Sequence, residues 1–376
     1  MKFTVSTSAL TERLQNLGRI ISSKPTIQVL SNFYLCVADN KLTIIASDLE
    51  TTAITSMPLE HSDGDITMTV PAQLLINTLC AFSEQPLEFD VNEENLTVQL
   101  NTVSGKYNFI GMRANEYPQL PVLEADKKNF SISSTQLLNG ITRTIFAAAT
   151  ENLRPALMGI YFDLRPNELT LVTTNAHELV RLNYTDIDCA LEAGTSFILP
   201  PKSAGMLKNL LAHIDEDVNI AFDSKNVCLQ WTDYTIYCRR IEGIYPNYNS
   251  VIPSESPYEI VVDRQNFLSS VRRVQVFADK GTLQVRLEIA NGQINLKAQD
   301  IDFSTSAEEH VPCQFNGDRI VIGFKASVLG DILNNIGSQN ICIRLSDATR
   351  AGIILPAENA KNEDLLMLLM PMLLTE

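Results

Sequence analysis

Apolar and polar positions alternate with a period of two in short runs, then shift to helical spacing, and the shift recurs three times at the same relative places. The first kind of segment is a strand running into a helix: "FTVSTSALTERLQNL" from Phe3, "FSISSTQLLNGITRTI" from Phe130 and "IVVDRQNFLSSVRRVQV" from Ile260. In each, Ser, Thr or Asp stands at an N-cap place, and apolar residues such as Leu137, Leu138, Ile141 and Ile145 follow at helical spacing. The second kind is a strand, a polar corner and a second strand: "NKLTIIASDLETTAI" (40–54), "NELTLVTTNAHELVRL" (167–182) and "NGQINLKAQDIDFSTS" (291–306). Asp48, Asn175 and Asp300 fall at matching places, which predicts an Asx-type bend in each. The third kind is again strand to helix, in 65–82, 195–214 and 318–336, with Pro71 and Pro201 suited to a first helical turn. The fourth is a closing set of strands in 87–100, 218–231 and 341–355. The first two of these sets continue into a strand ending in Arg and a Tyr-Pro loop, and the third runs into the apolar tail "LLMLLMPMLLTE" (365–376).

Phe3, Phe130 and Ile260 are 127 and 130 residues apart, far longer than a solenoid repeat, so each unit is a whole α+β domain with many short strands and two helices. The Pro-rich loops at 117–128 and 245–257 are the boundaries, giving domains 1–121, 129–252 and 258–376. The predicted helices are 8–20, 71–82, 134–149, 201–213, 263–278 and 324–336. The tail is the last strand of a domain that has no successor.

Composition narrows the function. A chain of 376 residues suits two or three domains, and no stretch approaches the roughly 20 apolar residues that cross a bilayer, so the tail is no membrane span and a cytoplasmic location is expected. Seven cysteines stand singly without a CxxC pair, reading as small core residues in a reducing compartment, and no metal or other cofactor is expected. Net charge is −15, which taken alone disfavours nucleic acid. The predicted helices nevertheless carry nine positive residues (Arg13, Arg19, Arg143, Lys202, Lys208, Arg264, Arg272, Arg273, Lys325) against Glu12, Asp263 and Asp331, a net of +6 that leaves −21 on the rest. Positive helices facing phosphate supply sequence-independent, salt-screened attraction, although surface helices often carry Lys and Arg for solubility alone. "TTNAHELV" sets His177 beside Glu178 and Asn175, but no GxSxG, HExxH or phosphate loop accompanies it, and a His on a strand corner is more often structural. A hydrolase using His177 with Glu178 or Asp302, and a monomeric β-rich scaffold, stand as the competing readings.

Domain count, motif order and length together resemble the bacterial sliding clamp family, the β subunit of DNA polymerase III. The marks are "MKFTV", "KPTIQVLSN" (24–32), "TTNAHEL" (173–179), "YPNYNSVIP" (245–253) and "LMPML" (369–373). The resemblance implies three DNA-clamp domains, each with two helices on curved antiparallel sheet, in a head-to-tail homodimeric ring. Duplex DNA passes through that ring without sequence specificity, and there is no catalytic step. It places DNA contacts at Lys24, Arg154 and Lys202, with Arg143 and Arg272 on helices lining the hole. It implies a pocket for short peptides of the polymerase III α subunit, the clamp loader δ subunit and other clamp-binding proteins. That pocket would consist of Leu157, Thr174, Ala176, His177, Leu179, Pro246, Val251, Thr349, Leu368, Leu369, Met370, Pro371 and Met372. It puts "GKYNFIGMR" (105–113) against "VQVFADK" (274–280) at the subunit contact, with Tyr107, Phe109, Val276 and Phe277 as its apolar residues. This chain departs from the family at Ala176, Glu178, Ser250 and Leu373, where Gly or basic residues are usual, and by the Thr375–Glu376 extension. The rim is therefore less positive, and an acidic anchor in a partner is expected to be favoured less.

Overall fold

The computed structural model describes residues 1–374 apart from 152, 188, 190, 192 and 193, so the Thr375–Glu376 extension lies outside the described residues. The chain divides into two compact units, Met1–Thr135 with Gly205–Arg240, and Gln136–Ala204 with Ile241–Glu376. The helices are α1 (Thr7–Gly18), α2 (Ala72–Leu79), α3 (Ser134–Thr144), α4 (Pro201–Leu210), α5 (Arg264–Gln275) and α6 (Ala326–Asn335).

The first unit holds a five-stranded sheet, ordered His61–Ser62, Lys2–Ser6, Pro86–Val91, Thr97–Asn101, Lys106–Ile110, and a nine-stranded one. Ser6 ends the first strand and accepts from the Ala9 amide, so α1 starts where the period changes. Its Leu10, Leu14 and Leu17 lie on one face and are buried. Helices α1 and α2 pack so closely that a Cβ on Gly18 would lie 2.6 Å from the Ile76 Cδ1, so a larger residue there would have to displace the Ile76 side chain. The second unit carries a twelve-stranded sheet. There Asp263 caps α5 by accepting from the Asn266 amide at 2.8 Å, and Phe267, Val271 and Val274 face the core.

The predicted corners form. Asp48 Oδ1 accepts from the amides of Glu50 and Thr51, Asn175 Oδ1 from those of His177 and Glu178, and Asp300 Oδ1 from that of Phe303. Each corner joins a hairpin, and in two cases a closing strand then covers the hairpin's second strand. Tyr234–Arg239 pairs with Thr51–Pro58, and Glu363–Leu369 pairs with Glu178–Tyr184. Among the described residues, the second strand of the third hairpin has no such cover over 305–312, which pair on one side only, with Gln293–Asp300, and Lys106–Ile110 at the end of the five-stranded sheet is likewise paired on one side only.

Several boundaries differ from the periodicity. Pro71 ends the strand Ile66–Pro71, opposite Asn32, and is the N-cap of α2 rather than part of its first turn, whereas Pro201 does open α4. Residues 324 and 325 stay in the strand Ile320–Lys325 because Phe324 and Lys325 pair with Val285 and Gln284, so α6 starts two residues late. Helix α3 ends at Thr144 and tightens into a 3₁₀ turn, Ile145–Ala147. Not all cysteines are core residues: Cys80 is exposed, and Cys36 and Cys313 are half-buried.

Candidate partner-binding surface and charged faces

In the second unit the hairpin Glu168–Thr174 and Glu178–Tyr184, the 3₁₀ turns Pro155–Met158 and Tyr248–Val251, and the strand Glu363–Leu369 bring one apolar cluster together. Its members are Leu157, Val172, Leu179, Ile198, Tyr245, Tyr248, Ala351, Ile353, Leu366 and Leu368. The rings of Tyr161 and Tyr245 stack at 4.5 Å. Tyr248 Oη donates to Asp163 Oδ2 at 2.8 Å, and burial pushes its phenol up to about 12, so it stays a donor. Apolar side chains are exposed at the end of the turn Tyr248–Val251 and just past the strand Glu363–Leu369, Val251 at 54 % and Met370 at 42 %.

The sequence-predicted pocket residues divide. Leu157, Leu179 and Leu368 lie in the cluster, while Pro246, Ala176, His177 and Thr349 are exposed in loops. Thr174 is buried, its hydroxyl donating to the Glu178 carbonyl and accepting from the Ala176 amide. Leu369 is buried outside the cluster, opposite Glu178 and Gly352. The apolar run is therefore covered on both faces from Leu365 to Leu369, and does not alternate between core and surface. Tyr245 and Tyr248 were missed as contributors, although "YPNYNSVIP" contains both.

The tail stays docked after Pro371. Met370 N donates to His177 O at 2.9 Å, Met372 N donates to Gly323 O at 2.8 Å, and Gln284 Nε2 donates to Leu373 O at 3.0 Å. A Cβ on Gly323 would stand 3.0 Å from Met372 O and 2.8 Å from both Leu374 Cδ2 and Gln284 Nε2, so the tail approaches this backbone closely enough that an added side chain would press on it. Pro371 interrupts pairing by one residue, after which the chain changes strand. Glu178 is only 6 % exposed; Asn175 Nδ2 donates to its Oε1 at 2.8 Å, and its Oε2 has no partner. Burial pushes its carboxyl up to about 7, helped by the negative charge of Asp331 and opposed by the Asn175 hydrogen bond and Lys325. The His177–Glu178 pair belongs to a corner whose geometry recurs at Asp48 and Asp300, with the imidazole exposed and the carboxyl turned to Asn175.

Lys24, Arg154 and Lys202 are exposed, on the loop after α1, before Pro155–Met158 and in the first turn of α4. Arg143 is held by Glu363 at 2.7 Å with its side chain 22 % exposed, and Arg272 donates to Asn334 Oδ1 at 2.8 Å. Arg264 donates to the carbonyls of Leu333 and Ser338, and Arg273 is bidentate on Glu309. Much of the positive excess on the helices thus has a structural partner. Of the subunit-contact candidates, Tyr107, Val276 and Phe277 are exposed and Phe109 is half-buried. Among the described residues no group of His, Cys, Asp and Glu could hold a metal, and no helix is long and apolar enough to cross a membrane.

Known proteins share this architecture over the whole chain. Family models for the N-terminal, central and C-terminal domains of the DNA polymerase III beta subunit match residues 1–121, 131–247 and 249–373. The chain belongs to this family. The beta sliding clamp of Pseudomonas aeruginosa is 27 % identical over 372 residues, covering 99 % of this chain and 100 % of the relative. That of Bacillus subtilis is 26 % identical, covering 99 % of each. Among solved structures, the Pseudomonas aeruginosa clamp bound to griselimycin matches with a TM-score of 0.93 at 26 % identity, and the Thermotoga maritima beta subunit with 0.90 at 25 %; each pair is covered in full.

Proposed function

We propose that this chain is a DNA polymerase processivity factor, a sliding clamp of three domains (1–121, 129–252 and 258–376) that closes head to tail with a second copy around duplex DNA. The pairing rule of the fold carries this reading. A closing strand covers the hairpin of the preceding domain in both places where a successor exists, at Thr51–Pro58 and at Glu178–Tyr184. The uncovered hairpin edge 305–312 and the uncovered closing strand Lys106–Ile110 are complementary, and two copies satisfy both.

DNA is held by topology, so its contacts need only be weak and blind to sequence; Lys24, Arg154 and Lys202 supply them, with Arg272 in support. Arg143, paired with Glu363, has the smaller share. The cluster around Leu157, Leu179, Tyr245 and Leu368, with Val251 and Met370 at its rim, takes the apolar anchors of a short partner peptide from the polymerase α subunit, the clamp loader δ subunit or another clamp-binding protein. Thioether and aliphatic side chains suit that task because they repack around varied ligands. The role involves no bond making and lies in the cytoplasm. Native mass and fluorescence anisotropy with a Gln-Leu-x-Leu-Phe peptide test it together: a dimer that binds the peptide is expected, and a monomer at micromolar concentration without affinity for it would refute the proposal.

A further inference from the structure

We infer that the seam between two copies of this chain is sealed by an apolar knob, Ile301 and Phe303 of the third corner, docking against Ile110 of the other copy, and that this seam resists salt. The inference rests on the clamp reading and adds the chemistry of the contact.

The registers locate the contact. Gln230 pairs with Thr235 as Asn101 pairs with Lys106, which aligns Arg239 with Ile110 and Cys238 with Phe109. Ser47 pairs with Thr52 as Gln299 pairs with Ser306, which aligns Thr51 with Thr305. Since Thr51 lies opposite Cys238, Thr305 lies opposite Phe109 of the second copy and Ala307 opposite Tyr107. Within the chain, the residue that follows this register reaches the corner itself: Arg239 N donates to Glu50 O, and Met370 N donates to His177 O. Ile110 is the equivalent residue, and the equivalent corner is 301–304.

The side chains differ at the three junctions. Arg239 meets the corner that contains Glu50, and Met370 meets the one that contains His177. At the third, Ile110 is 68 % exposed, and the corner offers Ile301 at 80 % and Phe303 at 65 %. Two large apolar side chains exposed on one tight turn form a patch of the kind that marks an interaction site. Lys280 stands over the Phe303 ring at 4.9 Å, holding one of its faces. On the edge strand itself, Glu308 is engaged by Lys297 at 3.0 Å and Asn295 at 2.6 Å, and Glu309 by Arg273 at 2.6 Å. Lys106 would fall opposite Glu308, which Lys297 already engages, so a further ion pair there replaces one exposed partner with another and adds little beside apolar burial.

Sedimentation of the full chain over a dilution series tests this. The dimer Kd is expected to change by less than about threefold between about 0.05 and 1 M NaCl, where exposed ion pairs are screened. The double substitution Ile301→Asp with Phe303→Asp is expected to weaken the dimer about 100-fold, Ile110→Asp on the facing surface about tenfold, and Lys106→Gln less than threefold. The two knob residues are exposed in the protomer, so the variants should keep the parent's circular dichroism spectrum while their melting falls only as far as the lost dimer accounts for, and Ile110→Asp gives an independent answer from the opposite surface. A dimer that weakens steeply with salt, or whose Kd ignores the Asp variants, overturns the apolar seam and leaves the clamp reading standing. A parent chain that is monomeric overturns the clamp reading and the seam with it.

Discussion

The amide of Met370 donates to the carbonyl of His177 at 2.9 Å, tying the end of the chain to a corner that precedes it by almost two hundred residues. Two residues on, Met372 is tied to Gly323 instead. The tail is thus a wall of the candidate partner surface built by two anchors, with Pro371 supplying the change of direction between them.

Removing residues 370–376 should abolish peptide binding, measured by anisotropy, while the chain still melts cooperatively, because the buried run Leu365–Leu369 keeps its pairing with Glu178–Tyr184. Loss of the two backbone hydrogen bonds should cost about 1–3 kcal/mol, seen as a modest fall in Tm.

Gly323→Ala tests the second anchor alone. The added methyl group would press on Met372 O and Leu374, so the tail should lift from the strand, lowering hydrogen-exchange protection at the Met372 amide while leaving that of Met370 nearly unchanged.

Glu178 makes stability depend on pH. Its folded carboxyl titrates near 7, above the ordinary carboxylate range, so the protonated form is the one that suits the fold. Stability should therefore decline as pH rises from about 4.5 through 7, with the full cost present above that window. Glu178→Gln should remove this slope, being more stable than the parent by about 1–3 kcal/mol at pH 8 and nearly equal to it at pH 5, as read by denaturant unfolding.

Tyr248→Phe should leave buried Asp163 without its 2.8 Å donor, and Arg165 at 3.4 Å compensates only in part. A loss of about 1–2 kcal/mol is expected in urea unfolding, together with weaker peptide binding, since the Tyr248 ring belongs to the apolar cluster.

Charge reversal at Lys24 and Lys202 should weaken DNA-stimulated loading and reduce its salt dependence, whereas Arg143→Gln should act mainly on stability by leaving Glu363 unpaired. Loading assays at two salt concentrations alongside melting curves separate the two effects.

The threefold repeat, the alternation of strands and helices, and the three Asx corners were legible in the sequence because each depends on residues close together in the chain. A period of two or 3.6, an N-cap Ser or Asp, and an Asn or Asp accepting from amides two or three residues on are local chemistry. Helix ends such as Pro71 and Lys325 were less so, because pairing with Asn32 and Gln284, far away in sequence, decided them.

The remainder belongs to tertiary structure. Periodicity could place Arg143 on a helix face but could not show Glu363 waiting for it, and it gave no means of telling that both faces of Leu365–Leu369 are covered. Glu178 reads in the sequence as one more charged residue beside a His; only the packing around it deprives its carboxyl of water and moves its titration toward neutrality. The sequence by itself determined which segments repeat and bend, since backbone preference and amphipathic period act over a few residues. Which side chains end up buried, paired or free to meet a partner was decided by contacts between distant segments, because burial and electrostatics depend on everything nearby in space.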